Sequence, residues 1–379
     1  MTPDAPTAAP RTTVLHERHA ALGASFTDFG GWLMPVRYTS DLAEHHAVRS
    51  TAGLFDISHM AEFTVTGPGA GAYLDYALAG RLSALPVGKA KYSLLLAETG
   101  GIVDDVIVYR LGEANYLVIS NAGNRDAVAG ALAERTESFE VDVVDVTDDY
   151  ALIAVQGPAA EAIVAAVDGI ADVSVPWGEQ KYYAWAEASF AGQSLLIART
   201  GYTGEDGFEL LVPVAAAGEL WDALRAAGEA HGLVPAGLAA RDTLRLEAGM
   251  PLYGHELSLD IVPAQAGLGR VVVADKDDFV GKSALAAAFA ADAPVLVGLT
   301  AEGRRAGRAG YAIFDGDGPD ATRVGEITSG ALSPTLGHPV AMAFVAPAAS
   351  TADTTLFIDV RGTRIPATVT ALPFYRRTK

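Results

Sequence analysis

FTVTGPGAGAYLDYAL, residues 63–78, and LIAVQGPAAEAIVAAV, residues 152–167, decide how this chain folds. Each is a β-rich run, then Gly-Pro, then an alanine-rich pattern of helical period. Gly67 and Gly157 are placed to cap the helix. Pro68 and Pro158 then fill the first helical position, where a missing N–H costs nothing. The two glycines lie 90 positions apart, so the repeating unit is about that long. Strand-like runs at 91–98, 102–111 and 115–121 and a helical run at 123–135 follow the first stretch. Runs at 181–190, 194–200, 206–213 and 214–231 follow the second in the same order. Strand–helix–strands–helix–strand is the split βαβ, ferredoxin-like arrangement, so the sequence predicts a duplicated α+β unit.

The flanks read differently. SDLAEHHAVRSTAG (40–53) predicts a short helix, with Asp41 and Glu44 at the spacing of a capping box and Gly53 as its stop. From about residue 290 come VLVGLT, GYAIF, VGEITSG, VAMAFV, TLFIDV and IPATVTAL, separated by Gly, Pro and Asp turns. Short strands with regular turn signals predict a small barrel or sandwich as a separate C-terminal domain. A length of 379 residues fits two or three domains.

Bulk composition excludes more than it assigns. Half the residues are hydrophobic and 19% are charged, as in a globular protein with a large core. No apolar run reaches the roughly 20 residues of a membrane span. MTPDAPTAAPRT has neither the apolar centre of a signal peptide nor the Arg-rich pattern of a transit peptide. It reads as a disordered lead-in to a cytoplasmic protein. With 27 Lys and Arg against 46 Asp and Glu, the net charge is −19. That field repels nucleic acid and anionic membranes, so an anionic ligand must be met by local arginine or lysine. The clearest basic cluster is Arg361, Arg364, Arg376, Arg377 and Lys379. There are no cysteines, hence no disulfide, thiolate metal site or cysteine nucleophile.

Several motifs invite chemical readings. Gly67, Gly69 and Gly71 open a helix after a strand, but the pattern is G-P-G-A-G, and PVGKAK stands where an acidic ribose partner belongs. A nucleotide site is not expected. In GGIVDDVIVYR (100–110), Val103, Asp105, Ile107 and Tyr109 share one strand face and Asp104, Val106 and Val108 the other. Residue types alone favour one solvent-exposed Asp at the strand entrance. The alternative is a carboxylate that is paired or put to use. In RTGYTGEDGFELLVP (199–213), Glu205 and Asp206 read as solvent-facing turn residues between Gly204 and Gly207. Glu209 lies inside the strand, either on a wet edge or accepting hydrogen bonds from something buried. AARDTLRLEAGMPLYG (239–254) reads as a helix stopped by Gly249 and Pro251; its Arg241 is a surface charge or a fork donor to a carboxylate or carbonyl. His45, His46, His59 and His255 form no metal spacing and read as core or surface residues.

Taken together, these stretches carry a resemblance. FGGWLMPVRY, EHHAVRSTAGLFDISHM, GGIVDDVIVY, RTGYTGEDGFEL, GLAARDTLRLEAGMPLYGHEL, DFVGKSAL, ITSGALSPTLG and LPFYRR appear in order across roughly residues 14–377. The chain resembles the aminomethyltransferases, the T-proteins of the glycine cleavage system. The resemblance implies a three-domain, cloverleaf-like arrangement around a central tetrahydrofolate channel. Residues 1–59 with 148–264 would form a discontinuous first domain, 60–147 the second and 265–379 the barrel. It implies transfer of the carbon of an aminomethyl group from the lipoyl arm of H-protein to tetrahydrofolate. The products would be 5,10-methylenetetrahydrofolate, ammonia and dihydrolipoyl H-protein, with no metal or nucleotide.

Residue by residue, the resemblance makes Asp105 the catalytic carboxylate. Its task would be to hold the folate's reacting nitrogens and stabilise iminium-like charge as ammonia leaves, by electrostatics or as a general base. Glu209 matches the pterin-binding glutamate, able to accept from adjacent N–H donors. Tyr202 would pack on or beside the pterin, Tyr109 would line the folate, and Arg241 and Arg377 would contact it. Tyr92, Asn121 and Met60 sit at further lining positions; whether Arg376 or Arg377 points inward stays open. Two rivals share the fold. One is a folate-dependent demethylase related to the folate domains of dimethylglycine and sarcosine oxidases, whose flavin-binding half has no counterpart here. The other is a non-enzymatic folate binder of iron–sulfur cluster maintenance, a group that relies on a cysteine motif.

Overall fold

A computed structural model describes residues 9–286 and 292–378. The first eight residues of the lead-in and Lys379 of the basic cluster lie outside the described residues. The chain opens with α1 (His16–Ala21) and a hairpin of β1 (Ser25–Phe29) and β2 (Trp32–Arg37), which form their own two-stranded sheet. Helix α2 (Asp41–Ser50) leads directly into β3 (Ala52–Asp56). The cap of α2 is Ser40, not Asp41: its hydroxyl accepts from the Ala43 amide. Glu44 is buried and reaches back to the amides of Tyr38 and Thr39, at 2.8 and 2.9 Å. Gly53 does not stop the helix. It lies inside β3, where an added Cβ would stand 2.5 Å from a Val48 methyl, so its missing side chain lets helix and strand pack closely.

The first copy runs β4 (Ala61–Thr66), α3 (Ala70–Ala77), β5 (Ala90–Leu96), β6 (Ile102–Gly112), β7 (Asn115–Ser120), α4 (Arg125–Glu134) and β8 (Asp142–Asp145). Its five strands pair in the order β5-β6-β7-β4-β8. The second copy runs β9 (Tyr150–Gln156), α5 (Ala160–Ala165), β10 (Ile170–Ala171), β11 (Trp185–Phe190), β12 (Gln193–Ala198), β13 (Gly207–Pro213), α6 (Val214–Gly228) and β14 (Leu233–Pro235). Its sheet is seven-stranded, in the order β10-β11-β12-β13-β9-β3-β14. Strand β3 takes beside β9 the antiparallel place that β8 takes beside β4, and β14 is displaced outward to pair with β3 in parallel. The second copy is completed by a strand from before the first.

That substitution explains the two repeated glycines, which are not helix caps. The helices begin three residues later, at Ala70 and Ala160. Gly67 and Gly157 have φ of +122° and +138°, and each lies against the backbone entering the strand next to its own, β8 for Gly67 and the inserted β3 for Gly157. A Cβ on Gly67 would meet the Glu140 carbonyl oxygen at 2.7 Å, and one on Gly157 the Thr51 carbonyl oxygen at 2.5 Å. Both the dihedral and the space exclude a side chain. Gly157→Ala is therefore expected to lower the urea midpoint, by about 1–3 kcal/mol of stability. Gly192→Ala, at φ +75° with open space around it, is expected to cost less than Gly157→Ala in the same measurement.

The two sheets stack, and strand alternation assigns every face. On β9 and β13, Ile153, Val155, Phe208, Leu210 and Val212 face α5 and α6, where Trp221 is fully buried. On β6, Val106 and Val108 face the α3 and α4 side with Tyr73 and Leu132. The opposite faces meet each other: Tyr109, Leu117 and Ile119 of the first sheet pack with Leu152, Ala154 and Leu211 of the second. The order of layers is helix, sheet, sheet, helix. After α7 (Leu238–Glu247) and α8 (Lys282–Ala286) comes a closed six-stranded barrel. Its strands are β15 (Val295–Ala301), β16 (Ala312–Phe314), β17 (Arg323–Leu332), β18 (Pro339–Val345), β19 (Thr355–Val360) and β20 (Thr363–Thr370). The sequence left barrel or sandwich open; pairing of β15 with both β18 and β20 closes it. Among the described residues, no helix is long and apolar enough to cross a membrane.

Candidate active site between the sheets

The alternation that buries Val106 and Val108 on one side of β6 turns Asp105, Ile107 and Tyr109 to the other. On β13 it turns Glu209 and Leu211 toward them, away from Phe208 and Leu210. The two acidic side chains thus enter one layer from opposite sheets. They line a cavity of about 270 Å³ whose walls include Met60, Tyr92, Tyr183, Tyr202 and Leu252. A wider trough of about 780 Å³ lies outside α4, beside Glu98 and Leu259, but it is an open surface without convergent buried polar groups.

Asp105 sits where β6 outruns its neighbour. The β6–β7 ladder ends at Ile107 opposite Ile119, while β5 continues alongside, with Leu94 opposite Asp105. Past the end of β7 the chain turns away at Asn121, leaving room for that residue's amide beside the overhang. Its Nδ2 donates to Asp105 Oδ1 at 2.8 Å, and the Tyr92 hydroxyl donates to Asp105 Oδ2 at 3.1 Å. Burial raises the Asp105 carboxyl above its ordinary proton affinity, and the bonds from Asn121 and Tyr92 oppose that rise only in part. Neither aspartate of the pair is the exposed residue that residue types favoured: Asp104 is fully buried and Asp105 half-buried.

Glu209 is buried on a central strand, with Ala198 and Ala154 as ladder neighbours, so the wet-edge reading fails. It accepts from the Thr200 hydroxyl at 2.5 Å, and Tyr109 OH stands 3.1 Å from the same Thr200 oxygen. That chain links β6 of one sheet to β13 of the other. Burial raises the Glu209 carboxyl; Thr200 and the charge of Arg241 pull it back. Gly201 lets this segment turn, because a Cβ there would lie 1.9 Å from Gln156 Oε1. Tyr202 is anchored by its hydroxyl to the Pro251 carbonyl, and the Arg241 guanidinium lies over its ring, 4.7 Å from the centroid. Arg241 comes from the first turn of α7. It is a cavity cation, not a surface one.

Eight of the nine residues singled out in the sequence line this cavity: Asp105, Glu209, Tyr202, Arg241, Tyr92, Tyr109, Asn121 and Met60. Arg377 is not among the lining residues. Its guanidinium pairs with Asp206 at 3.2 Å and lies over the Tyr182 ring. Asp206 also pairs with Arg199, and Glu205 is only 4% exposed, at 2.9 Å from Arg49. The solvent-facing turn is therefore an ion-paired one; Arg199 is a near neighbour, but Arg49 and Arg377 lie too far along the chain to be read from spacing. Sequence reasoning also missed His59, read as core or surface. It lines the cavity 97% buried, with Nδ1 unpartnered among the described residues, and burial, with Arg241 nearby, lowers its pKa to about 4. Its place beside Met60 in DISHM was the available signal. No group of three or more His, Cys, Asp or Glu among the described residues is arranged to hold a metal ion.

The chain matches two families of known sequence, the GCVT N-terminal domain over residues 15–276 and the glycine cleavage T-protein C-terminal barrel domain over 295–376. It is 56% identical to an aminomethyltransferase of Cutibacterium acnes, over 97% of this chain and 99% of that one. It belongs to the aminomethyltransferases, the T-proteins of the glycine cleavage system. An aminomethyltransferase of Saccharopolyspora erythraea is 55% identical over the same shares. The crystal structure of glycine cleavage system aminomethyltransferase T from Bartonella henselae superposes with a TM-score of 0.88 at 37% identity, covering 97% of this chain and 99% of that one. Membership makes the protein a transferase enzyme and accounts for the duplicated sheets followed by a barrel.

Proposed function

We propose that the protein takes the carbon of an aminomethyl group from the lipoyl arm of H-protein and delivers it to tetrahydrofolate. The products are 5,10-methylenetetrahydrofolate, ammonia and dihydrolipoyl H-protein. The observation that carries this reading is the convergence of Asp105 and Glu209, one from each sheet, on a single cavity beside Arg241. The residues suit a reduced pteridine. Tyr202 and Met60 offer flat and pliant apolar walls, and Glu209 is an acceptor for adjacent N–H donors. Arg241 makes no side-chain hydrogen bond to another described residue, so its donors are available to a carbonyl or carboxylate. Tetrahydrofolate, when bound, supplies two amine nitrogens that hold the carbon; their two hydrogens leave with the ammonia and the thiol.

The rest belongs to this chain. Glu209 and Tyr202 fix the ring, while Arg241 offsets locally a protein field of net charge −19. Asp105, oriented by Asn121 and Tyr92, places a negative charge where positive charge develops as ammonia departs. A contact from Arg377 requires its pair with Asp206 to open. We further propose a cytoplasmic location and the three-part division 1–59 with 148–264, 60–147 and 265–379, supported by the strand exchange that joins β3 to the second sheet.

Calorimetry with tetrahydrofolate, followed by turnover with aminomethylated H-protein, tests the reading. Glu209→Ala is expected to weaken folate binding about 100-fold, the order of a lost charge-assisted pair in a buried site. Absence of any folate uptake by the wild type overturns the proposal. Turnover of free N-methylated amino acids without H-protein would favour the demethylase instead.

A further inference from the structure

We propose that Asp104 is a positioning residue for this reaction: wired to Asp105 through the side-chain amide of Asn121, it sets the pH at which Asp105 becomes competent. The proposal rests on the assignment of Asp105 as the working carboxylate. The family resemblance gave no role to Asp104, and strand alternation placed it on the opposite face of β6.

The geometry joins what the alternation separates. Asn121 Nδ2 donates to Asp104 Oδ1 and to Asp105 Oδ1, both at 2.8 Å, so one amide spends its two hydrogens on two carboxylates. The two oxygens therefore lie within twice that distance of each other. Asp104 is also held by the Asn121 backbone amide at 2.9 Å and by Asn124 Nδ2 at 2.7 Å. Three donors from the 121–124 turn pin a fully buried carboxylate whose neighbour in sequence lines the cavity. Ordinary structural anchoring of the turn accounts for two of these bonds; it does not account for the shared amide.

Two buried carboxylates this close cannot ionise independently. Burial raises both, and the charge of Asp105 raises Asp104 further. The other ionisable groups facing the pair are Tyr92 from β5, Tyr202 from the segment before β13 and Tyr253 after α7. Burial pushes each of those hydroxyls upward, so all three are neutral near pH 7. The charge of Asp105 raises Asp104, and because coupling between two such groups is mutual, an ionised Asp104 raises Asp105 in turn. While Asp104 is ionised it holds Asp105 to its proton; when Asp104 carries the proton, Asp105 is free to ionise.

The sign follows. Activity needs ionised Asp105 and falls as the pH drops through its titration. Removing the Asp104 charge lowers that titration, so Asp104→Asn should move the acid limb of the kcat profile down by about one pH unit or more. Asn124→Ala removes a donor that favours charged Asp104 without touching Asp105, and should shift the limb in the same direction by less. An acid limb unmoved in both folded variants overturns the proposal. Carbon-13 carboxyl titration of the unliganded wild type provides a second measurement. Each aspartate resonance should report two coupled steps, whereas single independent steps would sink the coupling. Because that titration needs neither folate nor H-protein, it separates failure of this inference from failure of the proposed reaction.

Discussion

Asp105→Asn is expected to lower kcat by about 10³-fold while changing tetrahydrofolate affinity by no more than a few-fold. The substitution is nearly isosteric and the site can absorb it. Tyr92 OH can turn from donor to acceptor, and the new amide keeps one oxygen for Asn121, so the fold should survive. What disappears is a negative charge on the overhang of β6, at the half-buried lining of the cavity between the two sheets. In the proposed function Glu209 and Tyr202 fix the ring, and both are untouched, which is why binding should outlive turnover. Stopped-flow or steady-state assays beside calorimetry on one preparation separate the two effects. Wild-type turnover in this variant would show that another group carries the chemistry.

The second large effect concerns stability. Glu247, near the end of α7, is a hub: its carboxylate accepts from Arg49 Nη2 at 2.8 Å, from Thr335 Oγ1 at 2.7 Å and backbone N at 3.0 Å, and from Ser333 Oγ. His45 Nε2 stands 3.2 Å away. The cluster ties α2, α7 and the 333–335 turn of the barrel together. Glu247→Ala should cost about 3–5 kcal/mol, because it leaves Arg49, only 7% exposed at its side chain, without its main counter-charge. Burial alone would raise the Glu247 carboxyl. Hydrogen bonding and charge from His45, then Ser333 and Arg49, overcome that and hold it at about 2, against 4.5 for an ordinary glutamate. A depressed carboxylate stabilises the fold above its unfolded pKa and loses that contribution on acidification. About 3 kcal/mol should therefore fade between pH 4.5 and 2. Glu247→Gln should flatten the stability–pH slope in that window, as read by urea midpoints.

What the sequence made legible was local or periodic. The duplicated strand–turn–helix, the runs on either side of it and the six barrel strands follow from alternation and turn residues, which act over a few positions. That Asp105 and Glu209 share a site came from the family resemblance; alternation showed only that Asp105 shares a face with Tyr109, and left Glu209 open. The misses share one cause. Glu205 and Asp206 look like turn decoration until Arg49, more than 150 residues earlier, and Arg377, at the far end, are brought to them. Gly67 and Gly157 resemble caps because the backbone that crowds them comes from Glu140 and Thr51. Asp104 and Asp105 point apart by strand geometry, and only the early end of β7 lets Asn121 reach both.

The insertion of β3 into the second sheet has a cost during synthesis. Its partner β9 aligns Gln156 opposite Gly53, about a hundred residues later. At ~5–20 residues per second, that edge waits roughly 5–20 s for its mate after leaving the ribosome. Over that interval the first copy can already close its own five strands, while a buried-type segment, AGLFD, stays unpaired and open to other chains. Nascent-chain aggregation, and any benefit from chaperones, should therefore centre on residues 52–56.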